Sequence, residues 1–163
     1  YEFVEAAKIL KNKKIRSRFL LIGDTDKKNP TSIKQSTLEE WNDEKIIEWL
    51  GWVKDVKNLL LETDVLCLPS YREGLPKSLL EGAAIGLPLV TTNTVGCREV
   101  VLNGINGYLV PIKESKKLSL AIQKLIEDKE LRVKMGKESL RIAKSEFSSE
   151  IINAQTLAIY DEL

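Results

Sequence analysis

The chain has 163 residues, a length that fits one domain with enough side chains to build a core. Its hydrophobic fraction of 43% is ordinary for a globular protein, and 25 basic against 24 acidic residues leave a formal net charge of +1, so the charge balance does not call for a nucleic-acid partner. Two cysteines without any histidine argue against a disulfide framework and against a Cys/His metal site.

Short apolar runs alternate with stretches of helical periodicity, a pattern that predicts an α/β fold with a parallel sheet between layers of helices. Asp55 and Ser148 are the predicted N-caps of two of the helices. The predicted elements, in chain order, are a helix over 1–10, a strand over 18–23, a helix over 32–42, a strand over 46–53, a helix over 55–63, a strand over 65–68, a helix over 76–85, a strand over 87–92, a helical turn over 98–102, a strand over 107–112, and helices over 115–127, 129–145 and 148–163.

No apolar run approaches the roughly 20 residues that a membrane span requires, and no stretch of the sequence has the pattern of a signal peptide, so none is expected. Together with the unpaired cysteines, this favours a cytoplasmic location.

The stretch 64–88, DVLCLPSYREGLPKSLLEGAAIGLP, is the most informative part of the sequence. Its apolar run 65–68 is predicted to be a strand buried on both faces, and the polar loop SYREG follows it. Pro76 suits the first position of the next helix, which ends at Gly86 and Pro88. In parallel sheets, ligands usually bind where a strand gives way to such a loop and helix.

Two carboxylates stand eight residues apart in this stretch, Glu73 in the loop and Glu81 in the helix. Helical side chains lean toward the N-terminus, so Glu81 can reach back toward the loop. The free N–H groups at a helix N-terminus attract phosphate. Hydroxyls on the carboxylates and a diphosphate on the amides would suit a sugar nucleotide. The amides concerned are those of Gly74, Leu75, Lys77 and Ser78.

The segment EGLPKSLLE, residues 73–81, followed by GAAIGLPLVTTN, resembles the donor-binding signature of GT4-type retaining glycosyltransferases, the glycosyl transferases group 1. The later segments GCREVV, residues 96–101, and NGINGYLV, residues 103–110, are similar to the continuation of that signature. The resemblance runs from about Phe19 to the C-terminus, with a departure at Gly82, where the family usually has Ala. It implies a doubly wound, Rossmann-like parallel sheet, the C-terminal half of a GT-B glycosyltransferase.

The same resemblance implies transfer of a hexosyl or N-acetylhexosaminyl group from a nucleotide-diphosphate sugar to an acceptor, with retention, in polysaccharide biosynthesis. It assigns Glu73 to the donor sugar as the catalytic position, Glu81 to the ribose, and the loop at Val53 to the base. Neither a metal nor a cofactor other than the donor substrate is expected. Nothing in the sequence places Glu73 behind the anomeric carbon, so a role as covalent nucleophile stays open. The rest of the implied donor site is Gly74, Leu75, Lys77 and Ser78.

In this family the domain opens with a further strand and a loop bearing an Arg and a Lys for the donor diphosphate, and neither stands before Tyr1. In the dinucleotide-type strand order this first strand lies at the middle of the sheet, so its omission would expose the edges of both neighbours. We therefore expect a piece of a longer protein, in which residues 1–147 form the nucleotide-sugar domain and 148–163 form a helix that crosses back to an N-terminal domain.

Acceptor binding, of a sugar or a lipid-linked sugar, is assigned by the same resemblance to that N-terminal domain. Contact with the inner face of a membrane would also run through it. We expect the isolated 163 residues to bind the donor weakly without turnover. The residues expected to be partly exposed without that domain are Ile151, Ile152, Leu157 and Tyr160.

Other interpretations of the residues stay open. A non-catalytic nucleotide-sugar or sugar-phosphate binding module would use the same contacts. Asp24 and Asp26 form a D-x-D pair of the kind that holds a divalent cation in metal-dependent glycosyltransferases. A nicotinamide enzyme is disfavoured because the turn LIGDTD lacks the G-x-G-x-x-G spacing. Trp52 is predicted to pack against the protein, and Lys77 to be either a phosphate contact or an exposed lysine.

Overall fold

The fold is α/β with parallel strands, as the alternation of elements predicts. A computed structural model describes residues 1–26, 32–153 and Leu157. The strands are β1 (Leu20–Ile22), β2 (Glu48–Gly51), β3 (Leu66–Leu68), β4 (Leu89–Thr92) and β5 (Gly107–Val110). The named helices are α1 (Glu2–Asn12), α2 (Gln35–Asp43), α3 (Val56–Leu61), α4 (Lys77–Ile85), α5 (Val95–Val100), α6 (Ser115–Glu127) and α7 (Lys129–Glu146). Residues 149–153 are also helical.

The strands form two parallel sheets, β1–β2 and β3–β4–β5. In the second sheet β4 lies in the middle, with Leu89 opposite both Leu66 and Gly107. Successive side chains of a strand point to opposite faces. Accordingly, Leu89 packs in a cluster with α3, α4 and α5, whereas Val90 packs in a cluster with α1, α6 and Met135 of α7. The sheet is therefore covered on both faces, as a doubly wound fold requires.

Helix α1 joins the two sheets. Its Ala6 and Leu10 are fully buried in the cluster that contains Val90 of β4. Its Val4 and Ala7 are buried in a second cluster with residues of α2 and the β1–β2 sheet. A single helix thus buries apolar side chains against the layers of both sheets.

Strands β1 and β3 each have one unpaired edge within the described part of the chain. The same is true of β2 and β5. The prediction that residues 65–68 are buried on both faces is wrong, because these residues are only half-buried. An edge strand has one neighbour instead of two, whereas all four residues of the central strand β4 are buried.

Several predicted boundaries shift. Strand β1 is shorter than the predicted 18–23, and β2 is shorter than the predicted 46–53. Helix α5 begins at Val95, three residues before the predicted turn over 98–102. Pro76 is not the first helical residue but the N-cap of α4, with an extended backbone at φ −72° and ψ 109°.

Both predicted side-chain caps are confirmed. The Asp55 carboxylate accepts a hydrogen bond from the Asn58 amide at 3.2 Å, at the start of α3. The Ser148 hydroxyl accepts one from the Ile151 amide at 3.4 Å. Beyond this cap Ile151 is half-buried, whereas Ile152 and Leu157 are exposed; Tyr160 lies outside the described residues.

The departure at Gly82 has a structural explanation in β3. An added Cβ at Gly82 would lie 2.5 Å from Cδ2 and 3.3 Å from Cβ of Leu66. It would also lie 3.2 Å from Cδ2 of Leu89. Leu66 therefore fills the space that an alanine methyl group would take at position 82.

We predict that the effect of Gly82→Ala on the free energy of unfolding depends on Leu66. Alanine is favoured over glycine inside a helix by about 1 kcal/mol, but here the new methyl group meets Leu66. Leu66→Val should therefore make Gly82→Ala more favourable by at least about 0.5 kcal/mol, measured by urea denaturation as a double-mutant cycle. Ala84→Gly, at an exposed position of α4, gives the helix-propensity term alone. Equal effects of Gly82→Ala in both backgrounds would contradict the packing explanation.

Candidate functional site

The N-terminus of α4 and the loop before it present a group of backbone amides. Proline as N-cap has no side-chain oxygen to offer, and the Pro76 carbonyl accepts from the amides of Leu79 and Leu80 at 3.1 and 3.2 Å. In the part of the chain that the structure describes, four predicted donor-binding amides have no hydrogen-bond acceptor, those of Gly74, Leu75, Lys77 and Ser78. These amides, with the positive end of the α4 dipole, suit an anion such as a phosphate.

Gly74 leaves room for a ligand beside this group of amides. The residue is exposed, and a Cβ added to it would meet no protein atom within 4 Å. The protein itself therefore does not require a glycine at this position. A ligand that approaches the backbone closely at this position would require a glycine.

Glu81 lies one turn into α4 and is paired with a lysine. Its carboxylate is 3.6 Å from the Nζ of Lys77, with exposed side-chain fractions of 44% and 88% respectively. An exposed pair of this kind stabilises a protein by less than about 1 kcal/mol, so either side chain is free to exchange partners for a ligand. Pairing with Glu81 also explains why a lysine is tolerated in the first turn, where the helix dipole disfavours a cation.

Glu73 lies half-buried in the loop that precedes this helix, and its neighbour Arg72 is exposed. The start of that loop is held by hydroxyl groups at the end of β4. Thr91 donates from its Oγ1 to the Leu68 carbonyl at 2.7 Å, and Thr92 donates to the Ser70 carbonyl. Both threonines are buried, with 0% and 2% exposure.

The two threonines are contributors that the sequence interpretation missed. The available signal was a pair of hydroxyl residues at the end of an otherwise apolar strand. Buried hydroxyl groups need partners, and the nearest ones lie in the loop after the neighbouring strand.

The loop after β2 holds the predicted base-binding position. Val53 lies there, half-buried, two residues after Gly51, which has φ +61°. The prediction that Trp52 packs against the protein is wrong, because 71% of its surface is exposed. Trp49 takes the packing role instead, and its Nε1 donates to the Gly23 carbonyl at 2.8 Å.

The D-x-D pair lies in the turn after β1. The Asp24 carboxylate accepts a hydrogen bond from the Thr25 amide at 2.7 Å, and the Asp26 amide donates to the Ser32 hydroxyl at 3.1 Å. Across residues 1–26 and 32–153, no group of three or more Cys, Asp or Glu side chains is arranged to hold a metal ion.

None of the helices in the described residues is long and apolar enough to cross a membrane.

The class of protein is defined by a family model. Residues 2–141 match the model of the glycosyl transferases group 1, and these residues include the α4 N-terminus and both glutamates. The chain belongs to this family, as the signature at residues 73–81 implies.

Particular relatives are similar along most of the chain. It is 35% identical over 162 residues to the N,N'-diacetylbacillosaminyl-diphospho-undecaprenol alpha-1,3-N-acetylgalactosaminyltransferase of Campylobacter jejuni, an alignment that covers 99% of this chain and 41% of the relative. It is 34% identical over 133 residues to the UDP-Gal:alpha-D-GlcNAc-diphosphoundecaprenol alpha-1,3-galactosyltransferase of Escherichia coli, covering 80% of this chain and 34% of the relative. The chain thus spans less than half the length of these relatives.

Solved structures show the same fold. A glycosyltransferase of Rickettsia africae matches with a TM-score of 0.86 at 24% identity, covering 99% of this chain and 43% of the other. TarM of S. aureus, in complex with UDP among other ligands, matches with a TM-score of 0.85 at 17% identity, covering 98% of this chain and 32% of the other. The Rossmann-like, GT-B architecture of the C-terminal domain is confirmed.

Removal of the Thr91 hydroxyl should destabilise the protein through the loop that it holds. Thr91→Val keeps the shape of the side chain but removes one donor to the Leu68 carbonyl, which still accepts from the Ser70 amide at 3.0 Å, so we expect a loss of about 0.5–1.5 kcal/mol in the free energy of unfolding. Thr91→Ser is the matched control, because it keeps the hydroxyl group. Urea denaturation measures the stability of both variants, and a Thr91→Val protein as stable as the parent would show that the hydrogen bond contributes nothing.

Proposed function

We propose that this chain binds the nucleotide-diphosphate sugar of a glycosyl transfer reaction and that the full-length protein transfers the sugar to an acceptor with retention. The observation that carries the proposal is the set of unpartnered amides around the N-terminus of α4, flanked in sequence by Glu73 and Glu81. Family membership supplies the reaction class. The amides supply what such a reaction needs most, a preorganised site for a leaving diphosphate.

The proposed mechanism is mainly electrostatic. As the bond between the sugar and the diphosphate breaks, negative charge grows on the diphosphate, and the amides of Gly74, Lys77 and Ser78 would stabilise it without rearranging. Glu73 would orient the donor sugar through its hydroxyl groups. Glu81 would exchange Lys77 for the ribose hydroxyls, which releases the Lys77 ammonium toward the diphosphate.

The proposed substrates follow the activities for which the two relatives are named. Those two enzymes are named for transfer of N-acetylgalactosamine and galactose, and their names place a sugar on undecaprenyl diphosphate in the reaction. We propose a hexose or N-acetylhexosamine donor and a sugar or lipid-linked sugar acceptor. The acceptor, and any contact with the inner membrane face, would use an N-terminal domain on which residues 148–163 would dock.

The base would lie against the loop after β2. Val53 can offer its backbone there, and the exposed Trp52 side chain stands beside it. No metal is needed in this proposal, because amides and Lys77 balance the diphosphate charge. Donor binding should therefore survive EDTA; its loss on chelation would instead favour the pair Asp24 and Asp26.

Calorimetry with UDP, GDP and ADP on the 163-residue chain tests the binding proposal. We predict that one of the three binds, and that Glu81→Ala weakens this binding about two- to twelve-fold, the range for one hydrogen bond to a ribose hydroxyl. Gly74→Ala should weaken it as well by crowding the phosphate, but should not lower the unfolding midpoint in urea, because the space is open. Failure of all three nucleotides to bind would refute the proposal.

Turnover by the full-length protein separates an enzyme from a binding module. We predict that Glu73→Gln lowers kcat at least ten-fold while donor binding remains, because the amides and Glu81 are unchanged. We also predict no transfer by the 163 residues alone. Unchanged kcat in the Glu73→Gln protein would show that catalysis does not depend on this site and would favour the non-catalytic module.

A further inference from the structure

The loop between β3 and α4 is held by a contact with α5 that only glycine permits. Residues 69–76, which we call the donor loop, include Glu73 and Gly74. A Cβ added to the buried Gly96 of α5 would lie 1.8 Å from the Gly74 carbonyl oxygen and 2.6 Å from that of Glu73. Real Cβ atoms do not approach oxygen this closely, and both partners are backbone, so no side-chain rotation relieves the overlap. The donor loop therefore rests directly on the α5 backbone.

A second contact ties the donor loop to α1. The Tyr71 hydroxyl donates to Oε1 of Glu2 at 2.5 Å, and the Nζ of Lys113 lies 5.7 Å from the centre of the Tyr71 ring. Burial alone would raise the pKa of the Glu2 carboxyl, but the Tyr71 hydrogen bond and nearby positive charge, including Lys113, outweigh burial and lower it. The side chain of Glu2 is only 17% exposed. Three separate elements thus meet at Tyr71.

We infer that Gly96 and Tyr71 are positioning residues, which hold the donor loop in its ligand-binding shape before the donor arrives. This inference rests on the proposed function of the loop. Gly96 is buried behind the loop, and the Tyr71 hydroxyl is bound to Glu2, so each acts through the backbone of Glu73 and Gly74. A loop that is already ordered loses less conformational entropy when it binds a ligand, and this gain appears as affinity.

The order of the free loop tests the inference without any ligand. The chain is small enough for ¹⁵N relaxation, which reports order parameters for individual amides. We expect values of about 0.85 for the Gly74 and Leu75 amides in the parent chain, and values below about 0.6 in Gly96→Ala. Tyr71→Phe, which removes only the hydroxyl group, should lower them too and covers the case in which Gly96→Ala does not fold.

Gly107→Ala is the matched control for the glycine substitution. Its Cβ would lie 1.9 Å from the Leu89 carbonyl oxygen, an overlap of the same kind at the start of β5, the sheet end opposite the donor loop. It should cost stability but leave the order parameters of Gly74 and Leu75 unchanged. Equal loss of loop order in Gly96→Ala and Gly107→Ala would show a general structural effect and overturn the inference.

Affinities for UDP and UMP give the functional test, with the guanosine or adenosine pair used instead if calorimetry selects that base. The donor loop serves the diphosphate, so Tyr71→Phe should weaken UDP about two- to twelve-fold and UMP less. In a Glu2→Ala background Tyr71→Phe should not weaken UDP binding further, because the acceptor of the Tyr71 hydrogen bond is gone.

The outcomes separate this inference from the proposed function. If the parent chain binds UDP and both Tyr71→Phe and Gly96→Ala bind it equally well with an ordered loop, the positioning role is refuted and the function stands. If the parent loop is already disordered in the free chain, preorganisation is refuted whatever binds. If no nucleotide diphosphate binds to the parent chain, the proposed function fails and the inference with it.

Discussion

The packing of β4 is the constraint on which the rest of the structure depends. All four of its residues are buried, and its two faces serve two different hydrophobic clusters. Its first residues fix the sheet, because Leu89 pairs with strands on both sides. Its last residues donate hydrogen bonds from their hydroxyl groups, Thr91 to the Leu68 carbonyl at the end of β3 and Thr92 to the Ser70 carbonyl in the loop that follows. One strand therefore joins the core to the place where a donor would bind.

The site combines a rigid support with an unpartnered surface. The backbone of Gly96 packs against the loop that contains Glu73, and the Thr92 hydroxyl donates to the Ser70 carbonyl in that loop. The amides at the start of α4 meanwhile have no acceptor among the described residues. Groups held in place but left unsatisfied are what electrostatic stabilisation of a leaving group requires, since no reorganisation is needed during the reaction. This links the fold of a glycosyl transferases group 1 domain to the proposed chemistry.

Much of the fold could be predicted from the sequence because it depends on local patterns. Each of these patterns determines structure over only a few residues. They are the apolar runs, the caps Asp55 and Ser148, and the signature at 73–81. The start of α5 at Val95 could not be predicted from a local pattern, because glycine is unfavourable inside a helix. Gly96 is needed there for a contact with a loop that is distant in the sequence. The exposure of Trp52 could not be predicted either, because it depends on the direction that the chain takes in the turn after β2.

The candidate site was predictable to a similar extent. The position of the amides follows from proline and helix rules, whereas the pairing of Lys77 with Glu81 depends on side-chain rotamers that no sequence pattern sets. The half-burial of β3 depends on how many neighbouring strands are present, which is a property of the sheet and not of the run itself.

The interlocked Gly82 and Leu66 have a consequence for protein engineering. An exchange of α4 between related domains would have to preserve this contact. In this domain α4 and β3 interlock, because the Leu66 side chain of β3 occupies the space that a methyl group at position 82 of α4 would take. A chimera that imports an alanine-bearing helix would have to import the matching strand residue as well, so the smallest exchangeable unit is the strand, loop and helix together.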